Sequence, residues 1–302
     1  MKDITRKPET LRSARATATL HAPAECIALL RERRTEKGDA LEVARTAGIL
    51  AAKRTWELLP FCHPLPLQAI RIEYTLSEQS VRIEADVQVL AGTGVEMEAL
   101  TAASIAALTL YDMLKPHAGR ALSVTDVTLL DKRGGKSDFP RRIEPPAQSI
   151  VLVLSDAVAG GKKRDAAGQC VRERLSEAGI EIGGYEILSD DPDLLRERLR
   201  HWLGQSPDLI ATVGGTGITP RDRCVETVRA LIEREMPGIM EAARAHGQRR
   251  TPYAMISRGV AGLAGRSLIV TLPGSARGAQ ETLDALLPGL VHTLDVLRRS
   301  RR

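Results

Sequence analysis

The chain predicts two domains of different class: an α+β domain with helices on one face of an antiparallel sheet, followed by a three-layer α/β domain. Three observations carry this. The 302 residues, 43% hydrophobic and 27% charged, exceed what one core usually serves. Two adjacent runs within residues 70–89 alternate apolar and polar side chains with period two. Past residue 149 the rhythm becomes short apolar strands separated by helices. Residues 1–140 are assigned to the first domain, 141–148 to a linker and 149–302 to the second.

Small and β-branched residues over 14–20 suggest a strand, and Pro23 can open a helix carrying Ile27, Leu29 and Leu30. A helix over 40–59 follows from the period of Leu41, Ala44, Gly48, Ala51, Ala52 and Thr55, with Pro60 as its stop. Ile70, Ile72, Tyr74 and Leu76 alternate with Arg71, Glu73 and Thr75. Val81 to Val89 do the same with Arg82, Glu84, Asp86 and Gln88, across a turn at 77–80. After Gly92-Thr93-Gly94, an almost wholly apolar helix over 95–115 is expected to be buried on most sides, and a strand over 122–130 closes the domain. This order of elements is that of an α+β, ferredoxin-like domain, whose other sheet face would need a partner. Residues 141–148 are charged, contain Pro145 and Pro146 and lack an apolar period, as a linker should.

In the second domain, strands are expected over 150–154, 182–188, 208–213 and 266–272. Helices are expected over 166–178, ended by Gly179, and over 194–203, 222–235, 238–246 and 276–297. No internal repeat is present.

Bulk properties narrow the function classes. Residues 1–7 have no apolar stretch behind their charges, and no later segment runs eighteen residues without a strongly polar side chain, so a cytoplasmic location without a membrane role is expected. Cys26, Cys62, Cys170 and Cys224 are isolated from one another, without zinc or dithiol spacing, and fit free thiols. The formal net charge of +5 admits an anionic small molecule, an arginine-rich surface or nucleic acid. A basic nucleic-acid-binding assembly is the alternative class. Aromatics are only 3%, and there is no RNA-binding aromatic motif, helix-turn-helix signature or finger, so no nucleic-acid partner is expected.

Polar residues mark both ends of the long apolar helix: Glu96 and Glu98 at its start, Asp112 and Lys115 at its end. Such charges also suit the helix dipole, so a capped structural helix is the competing interpretation. Sixteen residues at 1.5 Å rise separate Glu96 from Asp112 by about 24 Å, too far for one small ligand to touch both. If both ends are catalytic, each site must combine residues of different subunits, which predicts a homo-oligomer with sites at subunit interfaces.

Gly92-Thr93-Gly94-Val95-Glu96-Met97-Glu98-Ala99-Leu100-Thr101-Ala102-Ala103-Ser104, continuing to Tyr111-Asp112-Met113, resembles cyclic pyranopterin monophosphate synthase. So do Lys37-Gly38-Asp39, Ala47-Gly48-Ile49, residues 51–55, Cys62-His63-Pro64-Leu65 and residues 132–137, in the same order, over about residues 7–139. The resemblance implies conversion of a cyclised dihydro-GTP to cyclic pyranopterin monophosphate with release of pyrophosphate, without a cofactor or metal. It places the family's active-site lysines on Lys37 and Lys115, with Asp112 orienting Lys115. Cys62, His63, Glu96, Met97 and Glu98 fall on substrate-binding positions, and Lys132 and Lys136 on a basic segment near the phosphates. Moving protons on a purine-derived ring and neutralising a triphosphate both suit lysine. Without the resemblance, Lys37 reads more readily as part of a solvated charge run over residues 31–37, and Cys62-His63 more readily as structural than as a metal site.

In the second domain the strand over 208–213 runs into Gly214-Gly215-Thr216-Gly217, and Thr219-Pro220-Arg221-Asp222 opens the next helix. Glycines let backbone amides converge on an anion. The loop is neither a Walker loop nor a dinucleotide fingerprint. Thr219, Pro220 and Asp222 also satisfy ordinary capping, as do Ser189-Asp190-Asp191-Pro192, and Pro273-Gly274-Ser275 reads as a tight turn. Three such starts nevertheless gather amides and carboxylates on one sheet edge.

This half resembles the molybdopterin adenylyltransferase family and its molybdopterin-binding relatives through Ser155-Asp156, the Gly-Gly-Thr-Gly loop, Arg221-Asp222, residues 234–238, Ser257-Arg258 and Leu272-Pro273-Gly274-Ser275. The resemblance implies attack of a molybdopterin phosphate on ATP, with Mg2+ bridging phosphates and held by Asp190 and Asp222. Two departures stand out. Asp165-Ala166-Ala167-Gly168 lacks the serine common before that glycine, and Arg223-Cys224-Val225-Glu226 replaces the usual Thr-Pro-Glu continuation. A domain that binds molybdopterin without catalysis is therefore the alternative.

Overall fold

The computed structural model describes residues 1–135, 138–139 and 142–300. Internal contacts divide the chain into Met1–Phe139 and Pro140–Arg302, each with its own core.

In the first unit, β1 (Thr10–His21) leads to α1 (Ala24–Arg31), α2 (Ala40–Lys53) and the single turn α3 (Thr55–Leu58). There follow the hairpin β2 (Ala69–Leu76) and β3 (Ser80–Ala91), the long helix α4 (Glu96–Ala118) and β4 (Ser123–Arg133). The sheet is antiparallel throughout, ordered β2-β3-β1-β4. Ala18 and Leu20 of β1, Ile72 of β2 and Val81, Ile83 and Ala85 of β3 face the helices and form the core with Ile27, Ala44, Ala103, Ala107 and Leu110. Small residues let the helices approach closely: a β-carbon at Gly48 of α2 would lie 2.5 Å from Ile72 and 2.9 Å from the Ala102 carbonyl oxygen.

Two expectations need correction here. The single helix over 40–59 breaks at Arg54, whose N–H is shared between the Leu50 and Ala51 carbonyls while the Thr55 hydroxyl donates to Ala51 O at 3.1 Å. α4 is long and apolar enough to cross a membrane by composition alone, yet it is the hub of this core. It buries one broad face through Ala99, Ala102, Ala103, Ala106, Ala107, Leu110 and Leu114, while Met97 and Leu108 remain exposed. The sheet face away from the helices carries Arg71, Glu73, Arg82, Glu84 and Asp86 together with the exposed Leu11 and Leu90, which pair across β1 and β3.

The second unit opens with β5 (Ala147–Leu154), α5 (Asp156–Ala159), α6 (Ala166–Glu177), β6 (Ile180–Leu188), α7 (Pro192–Gly204) and β7 (Leu209–Val213). It continues through α8 (Cys224–Arg229), β8 (Arg234–Glu235), α9 (Pro237–Gln248), β9 (Ala261–Ala264), β10 (Ser267–Leu272) and α10 (Ala276–Arg299). The six strands are ordered β6-β5-β7-β10-β9-β8; the first four are parallel, and β9 and β8 are antiparallel additions. Alternate residues of β5, β7 and β10 serve two cores. Val151, Val153, Ala211 and Val270 pack on α6, α9 and α10, whereas Ile150, Leu152, Ile210 and Ile269 pack on α7 and α8, giving three layers.

The expected linker over 141–148 is shorter at its end, because Ala147 and Gln148 already belong to β5; Ala147 N donates to Gly179 O and Gln148 N to the Asp208 carboxylate. The expected helix over 222–235 also shrinks to six residues. Leu231 and Ile232 turn into the core, and the N–H groups of Glu233 and Met236 donate to Leu263 and Ala261 across β9, each at 2.8 Å. Gly262 permits that approach, since a β-carbon there would stand 2.5 Å from the Arg234 carbonyl oxygen.

Candidate active sites

In the first unit the sequence-derived residues gather at the two ends of α4. At its C-terminal end, Lys37 is presented by a tight turn in which Gly38 takes a positive φ of 97° and the Thr35 hydroxyl donates to Gly38 O at 2.6 Å. Asp39 then caps α2 through the amides of Leu41 and Glu42. Lys37 Nζ reaches Asp112 Oδ2 at 2.9 Å, and Lys115 Nζ reaches Oδ1 of the same carboxylate at 2.6 Å. Hydrogen bonds from Lys115 and Lys37 hold the Asp112 carboxyl down at about 2, and the Asp112 hydrogen bond in turn raises Lys115. All three side chains are about half exposed, so this is an open ion-paired triad at the surface.

At the other end, Glu96 folds back over Gly94, where a β-carbon would lie 2.0 Å from a Glu96 oxygen, and its carboxylate accepts from Lys132 Nζ at 3.1 Å. Glu98 is 4% exposed, and burial, with a smaller push from the Glu96 charge, raises its carboxyl to about 7. Burial, with a smaller push from the Glu98 charge, raises the Cys62 thiol. His63 Nε2 contacts the Lys2 carbonyl oxygen at 2.9 Å. Met97 is 42% exposed. Lys136 lies outside the described residues. The two clusters do not converge within one chain: the axial rise of α4 keeps them about 24 Å apart.

In the second unit the expected residues do meet, at the C-terminal edge of the parallel strands. Gly214 (φ 110°) and Gly215 (φ 63°) follow β7 in conformations other residues rarely adopt. Gly214 N donates to Leu272 O at 2.9 Å, and Gly274, in the Pro273-Gly274-Ser275 turn after β10, packs against Gly214. Ser275 Oγ caps α10 at Gly278, and Thr216 is buried. Asp222 Oδ2 accepts from Thr219 N at 2.9 Å and from the Thr219 hydroxyl at 2.5 Å, and Gly217 lies directly against the same carboxylate. These Thr219 hydrogen bonds lower the Asp222 carboxyl, whereas burial and the charges of Asp156 and Asp222 raise Asp190.

Residues given no role from the sequence complete this edge. Asp156 and Asp190 exchange hydrogen bonds, each carboxylate accepting from the other's amide, at 3.0 and 3.3 Å. Arg258 grips the glycine loop. In the sequence, Ser155-Asp156 and Ser257-Arg258 count only as parts of the family resemblance, with Asp156 just after one buried strand and Arg258 just before another. A small cleft at this edge is lined by Asp190, Gly215, Arg221, Arg223 and Cys224. Cys224 itself is buried beneath Gly215, its thiol pushed up to about 12 by burial, so it is packing rather than a nucleophile. Asp165 caps α6 at Gly168 N and accepts from the Tyr185 hydroxyl, which engages the motif that departs at Ala166 and Ala167 in local structure.

The chain thus joins an α+β unit bearing a Lys37–Asp112–Lys115 ion-paired triad to an α/β unit bearing a glycine loop and strand-end carboxylates. Residues 1–135 match the MoaC family, and residues 150–292 match the probable molybdopterin binding domain. The chain is 39% identical over 298 residues to the molybdenum cofactor biosynthesis bifunctional protein of Chlorobaculum tepidum, spanning 99% of this chain and 94% of that one. It is 48% identical over 150 residues to the cyclic pyranopterin monophosphate synthase of Thermomicrobium roseum, spanning 49% of this chain and 90% of that one. The crystal structure of a molybdopterin biosynthesis protein from Mycobacterium abscessus is similar with a TM-score of 0.50 and 33% identity, over 52% of this chain and 100% of that chain. The chain belongs to the bifunctional molybdenum cofactor biosynthesis proteins, with a MoaC family domain first and a molybdopterin-binding domain second.

Proposed function

We propose that the first unit is a cyclic pyranopterin monophosphate synthase, a lyase acting on cyclised dihydro-GTP with release of pyrophosphate, and that the second adenylylates molybdopterin with ATP. The observation that carries the first reading is Asp112 held between Lys37 and Lys115. An ionised carboxylate there keeps Lys115 protonated, so Lys115 enters the reaction as a cation and proton donor, able to meet a phosphate or an ring nitrogen. Glu96, Glu98, Cys62, His63, Met97 and Lys132 form the substrate-holding half. The buried Glu98, raised to about 7, is poised to exchange a proton near neutrality.

Because the halves lie at opposite tips of α4, a complete site takes residues from two chains, and we assign the active form to a homo-oligomer. Trp56, Leu58 and Phe61 support this: they leave an exposed apolar run beside Cys62 and His63 that an assembly would cover. The strand order β2-β3-β1-β4 supports a ferredoxin-like description of the unit.

For the second unit, the backbone amides around Gly214–Gly217 suit an anionic phosphate, and Asp190 and Asp222 suit Mg2+. No cluster of three potential metal-ligating side chains occurs among the described residues. Two carboxylates nevertheless fit an ion that takes most of its other ligands from phosphate and water, and Asp190 is raised by burial first and then by the Asp156 and Asp222 charges, which a cation would offset. Bound magnesium would supply polarisation of the phosphate oxygens. The altered Arg223-Cys224-Val225-Glu226 segment favours, as a second reading, a domain that only binds molybdopterin.

Mass spectrometry of products from cyclised dihydro-GTP tests the first activity, with Lys115→Ala expected to lose about 100-fold or more in turnover. Normal turnover by that variant, or a fully active monomer in light scattering, removes the proposed site. Incubation with molybdopterin, ATP and Mg2+ tests the second; molybdopterin binding without an adenylylated product selects the binding-only reading.

A further inference from the structure

Between β7 and α8 the chain runs ten residues, 214–223, without regular structure. Its glycine end is fixed to the sheet through Gly214, and its far end is tied locally, by Asp222 N to Thr219 O at 3.0 Å and by Thr219 to the Asp222 carboxylate. Among the described residues, the hydrogen bonds that reach 216–222 from outside this loop come from one residue. Arg258 N donates to Thr216 O at 3.2 Å, its Nε to Gly217 O at 2.6 Å and its Nη2 to Asp222 O at 2.5 Å. The remaining edge of the guanidinium, Nη1, is held by Glu226 of α8.

We infer that Arg258 is a positioning residue for the anion-binding loop: its planar fork spans the Gly217 and Asp222 carbonyls and so fixes the distance between the loop amides and the Asp222 carboxylate. This rests on reading the second unit as a phosphate-handling site. A guanidinium suits the task because three N–H groups in one rigid plane can serve three acceptors in fixed directions. An ammonium on a flexible stem cannot span both carbonyls in the same way. Glu226 aligns the fork, and the Arg258 hydrogen bond lowers its carboxyl, so the pair stays charged at neutral pH. The side chain spends its N–H groups on two loop carbonyls and the Glu226 carboxylate, so it supports the loop and is not one of the reacting groups.

The test uses full-length protein with Arg258→Lys and Arg258→Ala. Amide hydrogen exchange without ligand is expected to speed up about tenfold or more over residues 216–223 in both variants, with β7 and β10 and the thermal midpoint little changed, since two or more charge-assisted hydrogen bonds are lost or weakened. Calorimetry with Mg·ATP is expected to show affinity falling about tenfold or more in both, the lysine variant failing to restore it although it restores the charge. Unchanged loop exchange, loosening spread through β7 and β10, or full recovery in Arg258→Lys would each overturn the inference. If wild-type protein takes up no Mg·ATP, the adenylylation reading falls, while the exchange comparison still decides the role of Arg258.

Discussion

The two sites are built from opposite materials. The first unit gathers charged side chains around the two tips of a packed helix, Asp112, Lys115 and Glu96 from the helix itself, Lys37 from a turn and Lys132 from β4. The second shapes its backbone with Gly214, Gly215 and Gly274 and adds short carboxylates at strand ends. The difference separates chemistry from folding. A side chain can be deleted from the first site with little harm to the core beneath it, because surface ion pairs contribute little stability. In the second site the shape of the chain is the binding element, so ligand binding and local stability should fail together.

The sharpest way to break this contrast is to add one methyl group at Gly214. Its φ of 110° disfavours any β-carbon, and that carbon would stand 2.4 Å from the Leu154 carbonyl oxygen, a backbone atom that cannot swing aside. Gly214→Ala should destabilise the second unit by about 1–3 kcal/mol and abolish its phosphate-ligand binding, while synthase turnover by the first unit persists. Denaturant melts followed by calorimetry with Mg·ATP measure both; a Gly214→Ala protein with wild-type melting and binding would show that the loop's backbone is not the recognition element.

The same contrast explains what could be read from the sequence. Strands with strict alternation, such as Val81 to Val89, and helices with clean stripes, such as 40–53, have local patterns that packing confirms. Glu96, Glu98, Asp112 and Lys115 drew notice because few structural needs place charges at the ends of an apolar helix. β8 and β9 carry no such pattern: Ala261-Gly262-Leu263-Ala264 is mostly small residues, and two residues of edge strand take their conformation from the neighbour they pair with. The failure over 222–235 has the same origin, since its helical period is overridden by the turn of Leu231 and Ile232 into the core. Asp156 and Arg258 act on backbone groups distant in sequence, through contacts that no periodicity encodes.

Within the first site, Asp112→Asn sharpens the comparison by altering charge with almost no change of shape. Asn cannot supply the ionised acceptor that raises Lys115, so the Lys115 pKa should fall. The alkaline limb of turnover should then move to lower pH, with activity at neutral pH reduced about 10- to 100-fold, the worth of a lost charged hydrogen bond. Thermal melts should stay unchanged because the triad is exposed. An unmoved alkaline limb would mean that Asp112 does not tune Lys115 during turnover.

The smallest expected effect lies at Glu98, the one member of the first site that is buried like a core residue. Its carboxyl stands at about 7 in the fold against an ordinary 4.5, chiefly from burial, with the Glu96 charge pushing the same way and its own backbone N–H opposing. The Cys62 thiol, raised chiefly by burial, stays protonated near neutral pH and adds no charge of its own. The native state therefore binds the Glu98 proton more tightly than the unfolded chain does. Below 4.5 both forms are protonated and the shift is neutral; as pH rises from there through about 7, the native state forfeits stability relative to the unfolded chain. Glu98→Gln, neutral at every pH, should flatten that decline, so the melting curves of variant and wild type should converge at low pH and separate above neutrality, with the variant the more stable. Parallel profiles between about pH 5 and pH 9 would show that Glu98 ionises freely in the native protein, and the site would then lack its proton exchanger near neutrality.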